Sequence, residues 1–325
     1  MTVESRKERR LAARCEDASH RFVKPSRRDR VFYSINGIVL LVIFLLVLLP
    51  ILTVFANSLS SSNAVATGRV SFWPQVQLPD KSYRIGISFD GFTAAFKNKN
   101  IISGYLNTIF YTLAGTLINV FLTVLAAYPL SRSDLPGKNK LTMLFAFTMI
   151  FNGGMMPNYL LVRDLGIMNT RWAILLPMAI NVYNMVICRT FFQNTIPKEL
   201  LEAAQLDGCS DFRFLLRIVL PLSKAVLAVI GLYYAVQHWN AYFNAFLYLT
   251  DHKLYPLQII LKDILLSSAV TPDMLEGTIV ESVDLNLIHL LKYSLIIIAC
   301  LPIWCVYPFV QKYFVQGVMI GSVKG

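Results

Sequence analysis

The sequence predicts an all-α membrane protein in which six transmembrane helices are joined by polar loops. Hydrophobic residues make up 55% of its 325 residues and charged residues only 15%, whereas soluble domains carry about 25% charged residues. The mean hydropathy is correspondingly high, at +0.54. Apolar stretches recur that are long enough to cross the ~30 Å hydrocarbon core of a bilayer as helices. Composition and patterning together therefore favour a polytopic membrane fold over a soluble one.

Residues 1–30 form a basic arm ahead of the first apolar stretch, with ten Lys and Arg residues and five acidic residues. The apolar stretch that follows is too long for a cleavable signal peptide, and no small-residue cleavage site closes it. We therefore expect residues 31–325 to form one transmembrane domain behind the arm. Its predicted spans are about 31–56, 104–130, 141–162, 172–192, 225–249 and 287–310.

Two connections between these spans are long and polar. Residues 57–103 are too polar to cross a membrane but long enough to fold on its surface. Residues 251–286 contain the segment LQIILKDILL, which is typical of an amphipathic helix at the membrane interface. A short Gly-rich tail, 316–325, follows the last span.

The third span is interrupted by Gly153, Gly154 and Pro157. Non-helical backbone at membrane depth is tolerated where it lines a cavity or is buried in protein. The interruption therefore either lines a cavity or permits close helix packing.

The distribution of positive charge predicts the topology. Six spans place both termini on one side of the membrane, and that side holds about 20 of the 30 Lys and Arg residues. Because excess Lys and Arg mark cytoplasmic segments, we expect both termini and the loop 195–221 to be cytoplasmic. The net charge of +11 is then explained by topology, and no nucleic-acid partner is implied.

Several kinds of chemistry are excluded by missing motifs. The five cysteines form no CxxC pair and do not cluster with histidines, which argues against a metal site or a disulfide framework. No phosphate-binding GxxxxGK[ST] loop, HExxH or GxSxG motif occurs. The central parts of the predicted spans carry no Asp, Glu, Lys or Arg, which argues against an ion-driven carrier. His238 is the notable titratable group there, and we expect it to be structural. We therefore expect no catalytic residue, metal or cofactor in this chain.

The loop 195–221, TIPKELLEAAQLDGCSDFRFLLRIVLP, predicts a helix over about 197–207. Pro197 suits the first helical position, and Gly208 offers a left-handed stop. Ala203 and Ala204 would give this helix a small-residue face that another backbone can approach closely, with Glu202 as a charged anchor. Ser210 or Asp211 is expected to cap a second helix that ends near Pro221.

This loop resembles the EAA loop of the permease subunits of bacterial ABC importers. In that family the loop forms the coupling helix, which rests in a groove of the ATPase subunit. The alternative is a chance Ala-rich amphipathic helix between two spans. The resemblance implies coupling roles for a set of residues in the loop, namely Glu202, Ala203, Ala204, Asp207, Gly208, Ile218, Leu220 and Pro221.

The resemblance covers about 31–325 and points to the carbohydrate branch, of MalG type and closest to its LplC-like members. The segment MIFNGGMMPNYLLVRDLGIMNTRWAILLP and the ending YPFVQKYFVQGVMIGSVKG carry it. It implies a second, usually non-identical permease, two ATPase subunits that hold ATP and Mg, an extracytoplasmic solute-binding protein, and surrounding membrane lipid. Members of the group carry oligosaccharides, including acidic ones such as alginate or pectin fragments. By the same analogy, 251–286 would reach into the binding protein and 323–325 would touch the ATPases.

The fifth span has the richest polar and aromatic content. At 3.6 residues per turn, Tyr233, Gln237, Asn240 and Asn244 fall on one face, with Trp239 at its flank. Aromatic rings stacked on sugars and amides bonded to hydroxyls would form a carbohydrate path. The same residues could instead pack between helices and share interhelical hydrogen bonds.

Two functions from different classes remain open on the sequence. One is the permease of an importer. The other is a structural or regulatory membrane protein that uses the loop helix to bind a partner without moving a solute.

Overall fold

A computed structural model of the chain describes residues 26–267 and 285–322. Helices account for nearly all of the regular structure in these ranges, so the all-α prediction is confirmed. Residues 1–25, which are most of the predicted basic arm, lie outside the described residues. Residues 268–284 and the end of the tail, 323–325, also lie outside them. Backbone contacts divide the chain into two units, Met1–Thr53 and Val54–Gly325.

The first unit holds most of helix α1 (Arg27–Ser58). Ser26 N–H donates to Asp29 Oδ2 at 2.8 Å, which satisfies a polar group at the start of the helix. An 18-residue window of α1 has a mean hydropathy of 3.3. This helix is therefore the most apolar candidate span in the described chain.

The second unit begins with a small folded region in place of the predicted surface loop. It contains α2 (Ser62–Ala66), an antiparallel pair of strands, β1 (Gln75–Gln77) and β2 (Tyr83–Ile85), and α3 (Asp90–Lys97). Ser60 Oγ accepts from Gln75 N–H at 3.0 Å, which joins the hairpin to the end of α1. The sequence predicted that this region folds but did not predict its strands.

The central helix of the second unit is α4 (Lys99–Ser131). Its N-cap, Asn98, accepts from the backbone N–H of Asn100 at 2.9 Å, which is a common way for a helix to begin. Gly115 on α4 allows the imidazole of His238 to approach the backbone, since an added Cβ would overlap the ring. His238 is buried. The expectation that it is structural agrees with this packing.

The predicted third and fourth spans each consist of two helices. These helices are α5 (Lys138–Ile150) and α6 (Met155–Asp164), then α7 (Trp172–Leu175) and α8 (Val182–Thr195). The first break coincides with the predicted interruption at Gly153 and Gly154, and Gly154 has a φ of 82°. The second break, at 176–181, includes Pro177. Proline lacks the N–H that a continuous helix requires.

The loop 195–221 contains α9 (Lys198–Leu206) and α10 (Asp211–Phe214), followed by a wide π-type turn, Leu215–Val219, and by α11 (Leu220–Leu222). In the wide turn, Leu220 N–H donates to Leu215 O, five residues earlier. Pro221 cannot donate a hydrogen bond, and its ring would clash with a carbonyl four residues back. The widened turn relieves that clash.

Helix α12 (Lys224–Trp239) follows at an angle of 84° to the preceding segment. The remaining elements are α13 (Phe243–Tyr248), a 3-10 turn (His252–Leu254), α14 (Leu257–Ser267) and α15 (Leu285–Ser322). The break between α12 and α13 means that 225–249 is not one continuous helix. The predicted amphipathic segment LQIILKDILL is helical, within α14.

Three helices in the described ranges are long and apolar enough to cross a membrane. A fourth candidate arises if the segment Asp211–Leu222 and α12, which are bent by 84° relative to each other, form one span. The three are α1, α4 and the 286–308 part of α15. The shorter, broken helices do not reach that length, so the count of six spans stays a prediction.

Candidate functional site

Helix α9 has well-defined ends. The structure places Pro197 one position before the predicted one, as the N-cap with ψ of 145°. At the other end, Gly208 has a φ of 70°, its N–H donates to Gln205 O at 3.0 Å, and Cys209 N–H donates to Ala204 O at 2.9 Å. This pair of bonds is a Schellman motif, so the predicted left-handed stop is confirmed.

The inner side of α9 rests on the chain's own core. Ala204 is 8% exposed, and Leu201 packs against the same apolar cluster, which contains Phe192, Phe214 and Leu215. The helix is about three turns long and would be marginal alone in water. Packing against this cluster therefore holds it in place.

The two alanines do not form one face, contrary to expectation. Successive residues differ by about 100° around a helix, so Ala204 faces the core while Ala203 is exposed. The outward face of α9, which we define as Glu199, Glu202, Ala203 and Leu206, follows the spacing i, i+3, i+4, i+7.

The outward face combines carboxylates with an apolar end. Leu206 is 90% exposed, and Glu202 and the C-cap Asp207 are exposed as well. A leucine exposed to this degree beside two acidic side chains suits a protein partner with a small apolar pocket and basic rim.

The second half of the loop continues the packing. Ser210 caps α10, because its Oγ accepts from Arg213 N–H at 3.4 Å. Ile218 and Leu220 pack against the same core as Ala204, while Pro221 is exposed in α11, after the wide turn. None of these three predicted coupling residues belongs to the outward face of α9.

A second feature is an open cavity of about 580 Å³ between the helix breaks and the end of α12. Both breaks line it with backbone and side chains, including Gly153 and Pro177. A Cβ added at Gly153 would contact only Pro157 at the start of α6, and one added at Gly154 would meet nothing within 4 Å. The structure therefore favours the cavity-lining alternative over close packing. Five side-chain amides line the cavity, namely Asn152, Asn158, Asn181, Gln237 and Asn244.

The predicted sugar path is only partly assembled here. Gln237 and Asn244 line the cavity, whereas Tyr233, Trp239 and Asn240 do not. The prediction of one face failed because α12 ends at Trp239, whose indole is buried and donates to Ala299 O at 2.9 Å. Asn240 follows as the C-cap and donates to Val236 O at 2.9 Å.

A polar network supports the second break. The hydroxyl of Tyr234 lies 2.7 Å from Thr123 Oγ1 and accepts from the backbone N–H of Asn181 at 3.0 Å. All three groups are thereby satisfied where water is scarce. These interhelical bonds fix the backbone beside the cavity.

Within the described residues, no cluster of His, Cys, Asp or Glu could hold a metal ion. The cavity lining carries no charged side chain in the part of the chain described. Amide groups donate and accept hydrogen bonds without a change of charge. The cavity can therefore bind hydroxyl and carboxylate groups but offers no acid–base pair.

Several site residues were not predicted from the sequence. Leu206 could have been found from its spacing with Glu199 and Glu202 on α9. Asn152 and Asn158 flank the Gly–Pro interruption, which is itself a signal for polar side chains at a helix break. Of the predicted contacts with partner proteins, that of 323–325 and the 268–284 part of that of 251–286 lie outside the described residues.

Comparison with known proteins identifies the family. Residues 87–320 match the family model described as binding-protein-dependent transport system inner membrane component. The matched range includes α9, its outward face and the cavity.

Two relatives from Bacillus subtilis (strain 168) are similar over most of their length. The polygalacturonan/rhamnogalacturonan transport system permease protein YtcP is 38% identical, over 92% of this chain and 100% of the relative. Protein LplC is 37% identical, over 92% of this chain and 97% of the relative. A crystal structure of a bacterial ABC transporter involved in the import of the acidic polysaccharide alginate contains a chain that is 34% identical, with a TM-score of 0.77, over 89% of this chain and 98% of that one.

Proposed function

This chain belongs to the family of binding-protein-dependent transport system inner membrane components, the permeases of ABC importers, and we propose that it carries an acidic oligosaccharide into the bacterial cytoplasm. It is a transporting subunit and not an enzyme. The outward face of α9 is the observation that carries the proposal, because an importer permease without its own nucleotide site needs a surface on which a motor can act.

Two ATP-binding subunits supply the energy, and α9 is the coupling helix on which one of them docks. The exposed Leu206 enters an apolar pocket of the ATPase, while Glu202 and Asp207 meet basic groups at its rim. ATP and Mg are held by the ATPases. Closure of the motors then moves α9 together with the core on which Ala204 rests.

The family and the charge distribution support the remaining assembly. A second, non-identical permease completes the path through the membrane, and an extracytoplasmic binding protein delivers the solute. Both termini and α9 face the cytoplasm, which agrees with the excess of Lys and Arg in those segments. The chain is thereby oriented with α9 on the side where ATP is available.

The amide-lined cavity is this chain's contribution to the solute path. YtcP is named for polygalacturonan and rhamnogalacturonan, and the structural relative for alginate; these polymers share carboxylate-bearing sugar rings. Gln237 and Asn244 donate hydrogen bonds to carboxylates and hydroxyls alike. Because the described lining has no cationic side chain, an acidic sugar is bound weakly enough to be released.

Uptake into proteoliposomes tests the proposed substrate class. The complex would be reconstituted with its binding protein and internal ATP regeneration, and uptake of oligogalacturonides or alginate oligomers compared with neutral maltooligosaccharides. We expect uptake of an acidic oligosaccharide and a reduction of about tenfold in Gln237→Ala with Asn244→Ala. Asn194→Ala, which removes an exposed amide at the opposite end of α8, is the matched control. Uptake of neutral oligosaccharides alone would contradict the acidic assignment.

A further inference from the structure

Arg132 occupies an unusual position at the end of α4. Its side chain is only 10% exposed, although it follows the last helical residue. The guanidinium donates to Asp134 Oδ1 from Nε at 2.8 Å and to the Tyr128 hydroxyl from a terminal nitrogen at 3.2 Å. The same terminal nitrogen forms an ion pair with Asp211.

These partners belong to three different segments. Tyr128 lies in the last turn of α4, Asp134 lies in the loop to α5, and Asp211 is the first residue of α10, after α9. Asp134 is two residues from Arg132, so that pair only shapes the loop. The pair with Asp211 spans 79 positions in sequence and joins the end of α4 to the segment that leaves α9.

The guanidinium is suited to this junction. Arg remains charged under all ordinary conditions and offers donors in a fixed, planar fork. The hydrogen bond to Asp134, in particular, raises the pKa of Arg132 further. A guanidinium this well buried is costly without its carboxylates, since removing one partner leaves an uncompensated charge. The junction therefore resists separation of its parts.

The end of α4 is held from two further sides. Lys138 Nζ donates to Arg132 O at 3.1 Å, and Arg189 Nε on α8 donates to Leu130 O at 3.0 Å. Both bonds satisfy carbonyls that have no helical partner at a C-terminus. A displacement applied at Asp211 is therefore passed to α4 rather than absorbed by a loose end.

We infer that Arg132 is a positioning residue for energy coupling, which transmits movement of the segment after α9 to α4 through its ion pair with Asp211. This inference rests on the proposed function. The structure continues the connection beyond α4, because Asn119 on that helix is hydrogen-bonded to the backbone of Met178, which lines the cavity. The path thus runs from Asp211 through Arg132 and α4 to the cavity wall.

The test separates coupling from assembly. Arg132→Gln, Asp211→Asn and the double variant would be reconstituted with their partners, and two quantities measured: ATP hydrolysis, and solute transported per ATP hydrolysed. We expect the ATPases to remain bound, and transport per ATP to fall at least fivefold in each single variant, within the range typical of coupling between sites. Because the two residues act as a pair, transport per ATP in the double variant should fall no further than in the more impaired single variant.

Three comparisons bear on alternative explanations. Arg163→Gln breaks an Arg–Asp pair between adjacent, exposed residues, and its transport per ATP should equal that of the wild type. Asp211→Asn removes a carboxylate that is 66% exposed and leaves the guanidinium paired with Asp134, so we expect it to disturb folding less than Arg132→Gln does. Arg132→Lys keeps the charge without the fork and should retain an intermediate value.

The outcomes distinguish the inference from the proposed function. If the wild-type complex shows no solute-dependent transport, the proposed function fails. If the wild type transports but Arg132→Gln and Asp211→Asn match it, or if their losses add in the double variant, the role of Arg132 is refuted and the proposed function stands.

Discussion

The side-chain amide of Asn119 donates a hydrogen bond of 2.9 Å to the backbone carbonyl of Met178. Met178 lies in the break between α7 and α8, where its carbonyl has no helical partner. Asn119 is fully buried. The bond therefore satisfies a carbonyl of the non-helical backbone that lines the cavity.

Removal of this bond should destabilise the break. We expect Asn119→Ala to lower the unfolding free energy by about 1 kcal/mol, since interhelical hydrogen bonds in membranes contribute ~0.6 kcal/mol on average and at most ~1.7 kcal/mol. Thermal unfolding of the purified complex in detergent measures this change. Thr142→Ala is the matched control, because it removes a hydroxyl bonded to Lys138 O within one helix. Equal stability of the Asn119 and Thr142 variants would show that the bond is unimportant.

The contact between α4 and α12 at Gly115 should tolerate no side chain. A Cβ at Gly115 would overlap the imidazole of His238, whereas a Cβ at Gly231 would make an ordinary contact of 3.8 Å with Val120. We expect Gly115→Ala to cost about 1–3 kcal/mol by overpacking and Gly231→Ala to be close to neutral. The melting temperatures of the two variants provide the comparison. A Gly115→Ala protein as stable as Gly231→Ala would exclude close packing there.

The C-terminal stop of α9 should depend on backbone conformation rather than on space. Gly208 has a φ of 70°, and nothing lies within 4 Å of an added Cβ. A β-branched residue in this conformation is strained by about 1–2 kcal/mol or more, while Asn tolerates it. We expect Gly208→Val to reduce the amount of ATPase that co-purifies, and Gly208→Asn to retain it. If both variants lost the same amount of co-purified ATPase, the size of the side chain at position 208, and not the backbone φ, would be the restricting factor.

Local features of α9 could be predicted from the sequence because each depends on neighbours in the chain. Pro197 has a restricted φ and Gly208 permits a positive φ, so the ends of the helix were predictable to within one residue. The interruption at Gly153 and Gly154 follows from the same rules. In these cases the residue itself determines the backbone.

Other features depend on contacts between distant residues. No glycine or proline marks the end of α12 at Trp239; the helix stops where the indole bonds to Ala299 on α15, and such tertiary contacts override local propensity. The pairing of Arg132 with Asp211 is equally invisible in one sequence. A 3.6-residue period therefore predicted a face that the structure divides between two helices.

The charge cluster at Arg132 should also affect acid stability. The hydrogen bond from Arg132, first among several causes, lowers the pKa of Asp134 from its usual value. A carboxyl with a lower pKa in the folded state stabilises that state above its unfolded pKa of about 3.9, and this contribution is lost as the pH falls through the folded value. We expect wild-type stability to decrease more steeply than that of Asp134→Asn as the pH falls below about 4. Parallel pH profiles of the melting temperature would contradict this linkage.

The outward face of α9 is tested most directly by ATP hydrolysis in the reconstituted complex. Wild type, Leu206→Glu and Glu202→Ala would be compared with and without binding protein loaded with an acidic oligosaccharide. Leu165→Glu, which alters another exposed leucine at the C-terminal end of α6, is the matched control. We expect loaded binding protein to stimulate hydrolysis in the wild type and the control, and the α9 variants to lose this stimulation or to fail to retain the ATPase. Full stimulation in Leu206→Glu and Glu202→Ala would contradict the assignment of α9 as the coupling helix.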